Sequence, residues 1–347
     1  MHCRSATNDR NGTIPGSFDL LRRCAASAIL LLGICNITAA GVRLHVHHTT
    51  GSDLNDGSAE KPFLTIQAAI HHAPPASVIE LHPKGAIYRQ MAVFRGRTNV
   101  TLEGNGVTLT GADPLDSGGW ETLANDLHRR QLPATPLGRH LLIQNGRANR
   151  MGRVPSTKEP FPAPDKLQPG EFSWQPIDAK SGWLYVKGSI DKLEWSTRVA
   201  GIATSGVNRG IVIRNIHCRH ALNDGFNIHG DCRDLYCEDI SGLENFDEGF
   251  SAHDTCSAVV HRGRFYRNEN AVADVNFADT DYHQCEFGES ISHEILFSGG
   301  RHLLTDCTVA ATGRVAVSIS TGAHGDVPEI VKTGWWLVRS LCFVVSE

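Results

Sequence analysis

Acidic and histidine side chains recur at a fixed spacing in the middle of the chain. The segments Asn223–Cys232 and Asp247–Cys256 match when one is shifted by 24 residues against the other. The candidate catalytic groups in these two segments are Asp224, Asp247, Glu248, His229 and His253. Carboxyl groups held close together raise one another's pKa, and a carboxyl that stays protonated near neutral pH can act as a general acid.

The same spacing indicates the elements that must position these groups. Weaker copies of the repeat extend from Gly210 to Ile319 and give about five coils, one coil being one turn of a solenoid. Within each copy, short runs of alternating apolar and polar residues are bounded by Gly, Asn and Asp. Such runs are typical of strands, and strands that recur once per coil without an intervening helix predict a parallel β-helix.

Alternation within each strand predicts which side chains face the interior of the solenoid. The predicted interior set is Phe226, Ile228, Phe250 and Ala252, and the predicted outer set is Asn227, His229, Ser251 and His253. For the third coil, a spacing of 23 residues places Asp274 on the outer face. Stacked coils lie about 4.8 Å apart, so we expect Asp224 beside Glu248 and His229 beside His253.

A second motif lies near the start of the chain, in the segments Gly51–Ser58, Lys61–Ile70 and Ser77–Leu81. Together with the repeat, it resembles the right-handed parallel β-helix superfamily that includes pectate lyases, polygalacturonases and related polysaccharide-active enzymes. The resemblance covers most of residues 45–320. It implies an all-β fold, a right-handed parallel β-helix solenoid whose first coil is covered by a capping helix at Thr65–His72, since terminal coils need a cap.

Residues 111–200 interrupt the coil pattern with a high density of proline, which opposes regular strands in a stack. The segments Glu171–Trp174 and Gly182–Val186 predict an antiparallel hairpin. The stretch resembles an inserted β-hairpin subdomain that lies beside the groove in β-helix carbohydrate enzymes. Its arginines Arg147, Arg150 and Arg153 either reach an anionic sugar or are solvated loop charges.

The resemblance implies chemistry on polysaccharides, and two reactions fit the residues. In hydrolysis, as in polygalacturonase-like enzymes, one carboxyl of the outer row protonates the leaving oxygen and another activates water. This chain departs from the polygalacturonase pattern, because no Asp-Asp pair follows Asn223 and no Gly-His-Gly occurs. In calcium-dependent β-elimination, Ca²⁺ is held by the oxygen ligands of Asp247, Glu248 and Asp274.

The base of such an elimination would be His253 or Arg267, which would take the α-proton. A lysine base on the coils is excluded, because no lysine occurs between Lys192 and Lys332. The predicted substrate-binding residues are Arg147, Arg150, Arg267 and Asp274. A third alternative is that the row has no catalytic role and its Asn, Asp and His residues only support turns and stacking.

We therefore predict a secreted carbohydrate-active protein that cleaves a polysaccharide by hydrolysis or β-elimination. The alternative is a non-catalytic polysaccharide-binding or surface protein that uses the same groove. Ca²⁺ is a cofactor only in the eliminative reaction. The net charge is −4, and acidic and basic residues are interspersed along the chain. The sequence therefore has no basic patch of the kind that binds nucleic acid.

The start of the chain has the three parts of a secretory signal. A charged pair at Arg22–Arg23 precedes the apolar run Cys24–Ile37, and Thr38–Ala40 is a cleavage site of small residues. We expect a secreted or periplasmic protein, with no membrane contact after cleavage. The predicted organisation is a signal peptide at 1–40, a cap and first coils at 41–110, the inserted subdomain at 111–200, coils at 201–325, and a C-terminal segment of unassigned role at 326–347.

Seven cysteines follow the predicted signal, so at least one thiol stays unpaired within a single chain. Cys232 and Cys256 lie one coil apart, a separation that a disulfide allows. A disulfide between them and a ladder of free stacked thiols are equally consistent with the spacing.

Overall fold

A computed structural model describes residues 41–149, 161–310, 315–320, 335–338 and 341–344. These residues form a parallel β-helix, as predicted, in which successive strands along the stack pair in parallel. The predicted signal at 1–40 and most of the predicted C-terminal segment at 326–347 lie outside the described residues. Arg150 and Arg153 also lie outside them.

Two long parallel sheets form the walls of the solenoid. Fourteen described strands belong to the larger sheet: Arg43–His47, Val78–His82, Ile87–Tyr88, Thr101–Thr110, Val212–Arg219, Leu235–Leu243, Ser257–His261, Arg264–Tyr266, Asp279–His283, Glu286–Gly288, Arg301–Thr305, Cys307–Ala310, Trp335–Val338 and Leu341–Val344. Seven belong to the second sheet: Ala92–Arg95, Ile202–Ser205, Phe226–Ile228, Glu248–Ala252, Asn270–Asp274, His293–Ser298 and Val315–Ser320. A short parallel pair joins Val207–Arg209 to Asp231–Arg233.

Single residues in the left-handed region bend the fourteen-stranded sheet at one corner of each coil. Asn215 (φ 52°), Asp239 (φ 54°), Arg262 (φ 52°), Gln284 (φ 53°) and Asp306 (φ 54°) occupy this corner in successive coils. Asn and Asp tolerate the left-handed conformation better than other non-glycine residues. The bend gives each coil two outward-facing strips within one sheet.

The interior is an apolar core built by alternation along the seven-stranded sheet. Phe226 pairs with Phe250, and Ile228 pairs with Ala252, as predicted from the 24-residue spacing. The next two coils are shorter, since Phe250 pairs with Val272 and Val272 pairs with Ile295. Burying these apolar side chains contributes roughly 25 cal/mol per Å² of surface removed from water.

The 22-residue step from Phe250 to Val272 corrects the predicted register of the third coil. Ala252 pairs with Asp274, which therefore lies in the interior and is fully buried. The predicted outer position of Asp274 is wrong because a one-residue change of register moves every side chain of a strand to the other face.

The α-helix Ile66–His72 lies next to the first coils and contributes Ile66, Ala69 and Ile70 to the core. Thr65 caps its first turn by accepting a hydrogen bond from the backbone N–H of Ala68 at 3.1 Å. Asp53 in turn accepts hydrogen bonds from the backbone N–H of Thr65 at 2.8 Å and from its hydroxyl at 2.8 Å. The role of this helix as a cap of the stack stays a prediction.

The described residues of 112–149 and 161–196 leave the parallel stack and form two small antiparallel sheets. One contains Ala112–Pro114, Leu142–Gln144, Arg147–Asn149 and Leu193–Ser196, and the other contains Trp120–Thr122, Leu127–Pro133, Phe172–Pro176 and Ser181–Lys187. Short 3₁₀ turns lie at Ala124–Asp126, Pro136–Gly138 and Pro164–Lys166. The boundaries of a separate subdomain stay a prediction.

The cysteines of the coils are buried free thiols, so the structure has the ladder and not the disulfide between Cys232 and Cys256. The free thiols among the described residues are Cys218, Cys232, Cys237, Cys256, Cys285 and Cys307. The Sγ of Cys256 lies 3.3 Å from the carbonyl oxygen of Gly230. Across the described residues, no helix has the length and apolar character needed to cross a membrane.

Candidate active site

Three carboxyl groups meet where the chain enters two neighbouring strands of the seven-stranded sheet. Asp224 lies two residues before the strand Phe226–Ile228, and Glu248 begins the strand Glu248–Ala252. One carboxyl oxygen from each of Asp224, Asp247 and Glu248 lies within 4.8 Å of the other two. We call these three residues the acidic cluster. The predicted neighbourhood of Asp224 and Glu248 is therefore confirmed.

Asp224 is the buried member of the cluster, with 1% of its surface exposed. It accepts hydrogen bonds from the Ser251 hydroxyl at 2.7 Å, the Glu248 backbone N–H at 3.1 Å and the Asn223 amide at 3.0 Å. These three donors fix the orientation of its carboxyl group and hold it against the side chain of Glu248.

Burial and mutual repulsion raise the pKa values of two cluster members. Burial raises the pKa of Asp224 to about 6, and the charge of Asp247 adds to the increase. Burial also raises the pKa of Glu248 well above its ordinary value, and the charges of Asp247 and Asp224 act in the same direction. Glu248 therefore holds a proton at a pH where a solvated glutamate has lost it.

Arg139 provides the positive charge of the site. Its guanidinium lies 2.8 Å from the Asp247 carboxylate, and it also donates hydrogen bonds to the side chain of Asn223 and to the carbonyl of Leu222. Asp247 thus faces a cation on one side and the protonated Glu248 on the other. No repeat or motif in the sequence indicates Arg139, because it comes from the interrupted region and not from a coil.

The acidic cluster continues along the sheet as a column of polar side chains. The Asn270 amide donates to the Glu248 carboxyl at 2.8 Å, and the Asn270 carbonyl oxygen lies 3.0 Å from Nδ1 of His293. Burial lowers the pKa of His293, which favours its neutral form. Asn270 pairs with Glu248 on the neighbouring strand, and His293 pairs with Asn270 on the next. Sequence analysis with coil lengths of 22 and then 23 residues would therefore have identified both residues.

The predicted histidines form a separate cluster at the other end of the strands. The rings of His229 and His253 stack with centroids 4.2 Å apart, as predicted, and Nδ1 of His229 lies 3.4 Å from Asp254. Burial lowers the pKa of His253 to about 4, and the neighbouring His229 adds to the decrease. The five-residue strand Glu248–Ala252 leads from Glu248 to His253, and a strand of this length spans about 16 Å. The structure therefore divides the predicted catalytic row into two groups.

Two of the predicted substrate-binding residues lie apart from the acidic cluster. Asp274 accepts hydrogen bonds inside the core from the Tyr282 hydroxyl at 2.7 Å and the Thr280 hydroxyl at 2.8 Å. Arg267 lies 3.0 Å from Glu244 and 3.1 Å from Glu289. It lines a cavity of about 750 Å³ over the fourteen-stranded sheet, together with His217, Arg219, Ser241 and Tyr266.

Arg147 also lies on this side of the solenoid. Its Nε is 3.2 Å from the buried Glu244, and 69% of its side chain is exposed. His220, Arg267 and Arg219 surround the same carboxylate, and their interactions lower the pKa of Glu244 to about 2 against the effect of burial. Arg150 lies outside the described residues, so its role in substrate binding stays a prediction.

The acidic cluster has the donor set of a calcium site. Ca²⁺ takes six to eight oxygen ligands at roughly 2.3–2.6 Å. The three clustered carboxyl oxygens are close enough to share one such ion. Asp274, which the sequence assigned to this ion, lies in the core and does not belong to the set.

No protein-family profile matches the chain, and no curated sequence matches it either. Among solved structures, a glycoside hydrolase aligns over 81% of this chain and 79% of its own, with a TM-score of 0.51 at 10% identity. A pectate lyase aligns over 87% of this chain and 63% of its own, with a TM-score of 0.49 at 11% identity. XylC in complex with xylose aligns over 87% and 68%, with a TM-score of 0.48 at 12% identity. The likeness to the glycoside hydrolase supports the parallel β-helix fold that the repeat predicted.

Proposed function

We propose that this protein cleaves a polysaccharide and that the acidic cluster is its catalytic centre. The observation that carries the proposal is the contact of three carboxyl groups in unlike environments. Glu248 is held protonated by burial and by its acidic neighbours, whereas Asp247 is paired with Arg139. An acid and a carboxylate placed side by side are the two groups that glycoside hydrolysis requires.

In this proposal Glu248 donates its proton to the glycosidic oxygen that leaves. The clustered carboxyl oxygens lie within 4.8 Å of one another, which is less than the roughly 6.5–9.5 Å that inverting enzymes need to admit a water molecule. Asp247 is therefore assigned the role of nucleophile, with its charge oriented by Arg139. Asp247 attacks the anomeric carbon as the protonated oxygen leaves, and an ester bond to the sugar forms. Glu248, now ionised, then takes a proton from water while the water attacks the same carbon, which breaks the ester bond and restores both groups.

A second candidate reaction is β-elimination at a uronate sugar, supported by the same oxygen donors. A calcium ion, when bound, would neutralise the uronate carboxylate and acidify the neighbouring C–H. Asp224, Asp247 and Glu248 would hold the ion, and binding would require Glu248 to lose its proton. The neutral His293, two hydrogen bonds from Glu248 through Asn270, would be the nearest described base in this column.

The deciding experiment follows two products in parallel on a panel of neutral and uronate-containing polysaccharides. Reducing ends that appear with chelator present, without absorbance from unsaturated uronate, would support hydrolysis. Absorbance that needs added calcium would support elimination. The Glu248→Gln variant must lose either activity, while Glu286→Gln, a half-buried glutamate of the fourteen-stranded sheet, serves as the matched control.

The alternative of a non-catalytic binding protein has its own outcome in this design. Retained polysaccharide binding without either product, from a folded wild-type chain, would contradict the catalytic proposal. For hydrolysis, the anomeric form of the first product, followed by NMR, would test the nucleophile role of Asp247. Inversion at that carbon would overturn that role while leaving Glu248 as the acid.

We also propose that the protein is exported, on the strength of the charged, apolar and small-residue segments that precede Gly41. The test is expression of the full chain with fractionation and mass measurement of the product. An exported chain that begins near Gly41 would support the proposal. A full-length product retained in the cytoplasm would contradict it.

A further inference from the structure

Two histidines and a glutamate converge on the outer face of the first coils, on a different sheet from the acidic cluster. The strands Arg43–His47 and Val78–His82 pair in parallel, with His45 opposite Glu80 and His47 opposite His82. Alternation places Leu44, Val46, Ile79 and Leu81 in the core and these polar residues outside.

The ligating atoms of three residues face one another across this strand pair. Nδ1 of His45 lies 3.1 Å from Nε2 of His82. Oε2 of Glu80 lies 3.5 Å from Nδ1 of His45 and 3.7 Å from Nε2 of His82. The three atoms therefore form a nearly regular triangle.

This triangle has the size of one face of a tetrahedral zinc site. With metal–nitrogen and metal–oxygen distances of about 2.0–2.2 Å, tetrahedral ligand atoms lie about 3.3–3.5 Å from one another. We propose that His45, Glu80 and His82 bind a zinc ion, with water in the fourth position. The proposal goes beyond the function proposed for the acidic cluster and does not depend on it.

The histidine pair His261 and His283 lacks this arrangement. The rings of His261 and His283 stack face to face, with centroids 4.6 Å apart and planes 11° from parallel. The centroids of His45 and His82 are 5.3 Å apart, the planes are inclined by 29°, and two nitrogens approach to 3.1 Å. Stacked coils alone therefore place rings over rings, whereas His45 and His82 approach through their nitrogen atoms.

The neighbouring residues orient the ligand atoms of the triangle and leave them open to solvent. Arg43 binds Oε1 of Glu80, which leaves Oε2 directed at the two histidines. The three side chains are 17%, 21% and 38% exposed for His45, Glu80 and His82, so an ion can reach them from solvent.

The donor set also selects among metals. Two imidazole nitrogens and one carboxylate suit zinc and its neighbours in the first transition row better than Ca²⁺ or Mg²⁺, which prefer oxygen ligands. A zinc ion here would link the first strand of the solenoid to the second. Because the ion binds only the folded arrangement, it would also raise the thermal stability of the chain.

The test uses the mature chain from Gly41, freed of any affinity tag and stripped with chelator. Zinc is titrated by calorimetry into the wild type, His45→Ala and Glu80→Gln, with His261→Ala as the matched control on the same sheet. We expect one zinc per chain in the wild type and control, and affinity reduced at least about tenfold, or 1.4 kcal/mol, in each triangle variant. Melting temperature should rise with zinc only where binding persists.

Cobalt provides a second readout that does not depend on the stability of the variants. Co²⁺ bound to the wild type should show the intense visible absorption of a tetrahedral ion, and zinc should abolish it by displacement. Equal zinc affinity in the wild type and both triangle variants would overturn the proposal. Failure of the wild type to bind zinc at millimolar concentration would also overturn the proposal. The short distance between His45 and His82 would then be explained by a hydrogen bond between the two imidazole rings.

Discussion

Two sets of buried carboxyl groups lie on the same seven-stranded sheet and differ in their neighbours. Asp274 lies inside the core, where it accepts hydrogen bonds from the Ala252 backbone N–H at 3.0 Å and from two hydroxyls. Asp224 lies at the entry of its strand, where Glu248 and Asp247 are beside it. Burial raises the pKa of Asp274 to about 7 and that of Asp224 to about 6.

This difference shows that a raised pKa does not by itself identify a catalytic group. The carboxyl of Asp274 is oriented by donors from the core, and no polysaccharide can reach it there. The carboxyls of the acidic cluster face one another and approach solvent through Asp247 and Glu248. Structural and catalytic acids are therefore distinguished by access to solvent and by the charges of their partners.

The largest expected effect is on turnover in the Asp247→Asn variant. Loss of the ionised carboxylate beside Arg139 should lower kcat by about 10²–10⁴-fold, the range typical of acid–base and nucleophilic groups. Melting temperature should change little, because the amide keeps an oxygen for the guanidinium. Turnover within threefold of the wild type would remove Asp247 from the mechanism.

The Asp274→Asn variant should show the opposite pattern. An amide cannot replace the carboxylate as acceptor for all three donors, so we expect the free energy of unfolding to fall by about 3 kcal/mol. Urea denaturation followed by fluorescence measures this loss. The kcat of the folded variant should stay within about twofold of the wild type. An unstable variant with normal kcat would support the separation of the two sets.

The pH dependence of stability sharpens the same contrast. Asp274 binds its proton more tightly in the folded state, since its pKa is about 7 there against 3.8 in the unfolded chain. Its stabilising contribution is fully present below the unfolded value and is lost as the pH rises through the folded one. Wild-type melting temperature should therefore fall between these pH values.

The Asp274→Asn variant provides the control for this pH measurement, because it has no proton to lose at that position. Its melting temperature should depend less steeply on pH across the same interval. An identical slope in the two proteins would assign the effect to other groups, of which Asp224 is the first to test.

The smallest effect is expected for His253→Ala. The stacked histidines lie about 16 Å along the strand from the acidic cluster, so kcat should change by less than about threefold. The same substrate assay measures it. A loss comparable to that of Asp247→Asn would bring the histidine stack back into the active site and would favour the undivided row predicted from the sequence.

Much of the architecture could be predicted because it rests on local patterns. Alternation around Phe226 and Phe250 placed the interior correctly, and the repeat placed Asp224 beside Glu248 and His229 beside His253. The prediction was wrong at Asp274, where the coil shortens by two residues. A change of coil length occurs in the turn and leaves no mark on the strand pattern itself.

The parallel stack follows from the residue pattern, because alternating apolar residues at a near-constant spacing can bury their surface only by stacking coil on coil. The meeting of particular polar groups depends on the folded chain. Arg139 reaches Asp247 from a region without repeats, and His45 reaches His82 from a strand 37 residues earlier. Such contacts depend on coil lengths and on the course of inserted chain, which no local pattern of residue types specifies.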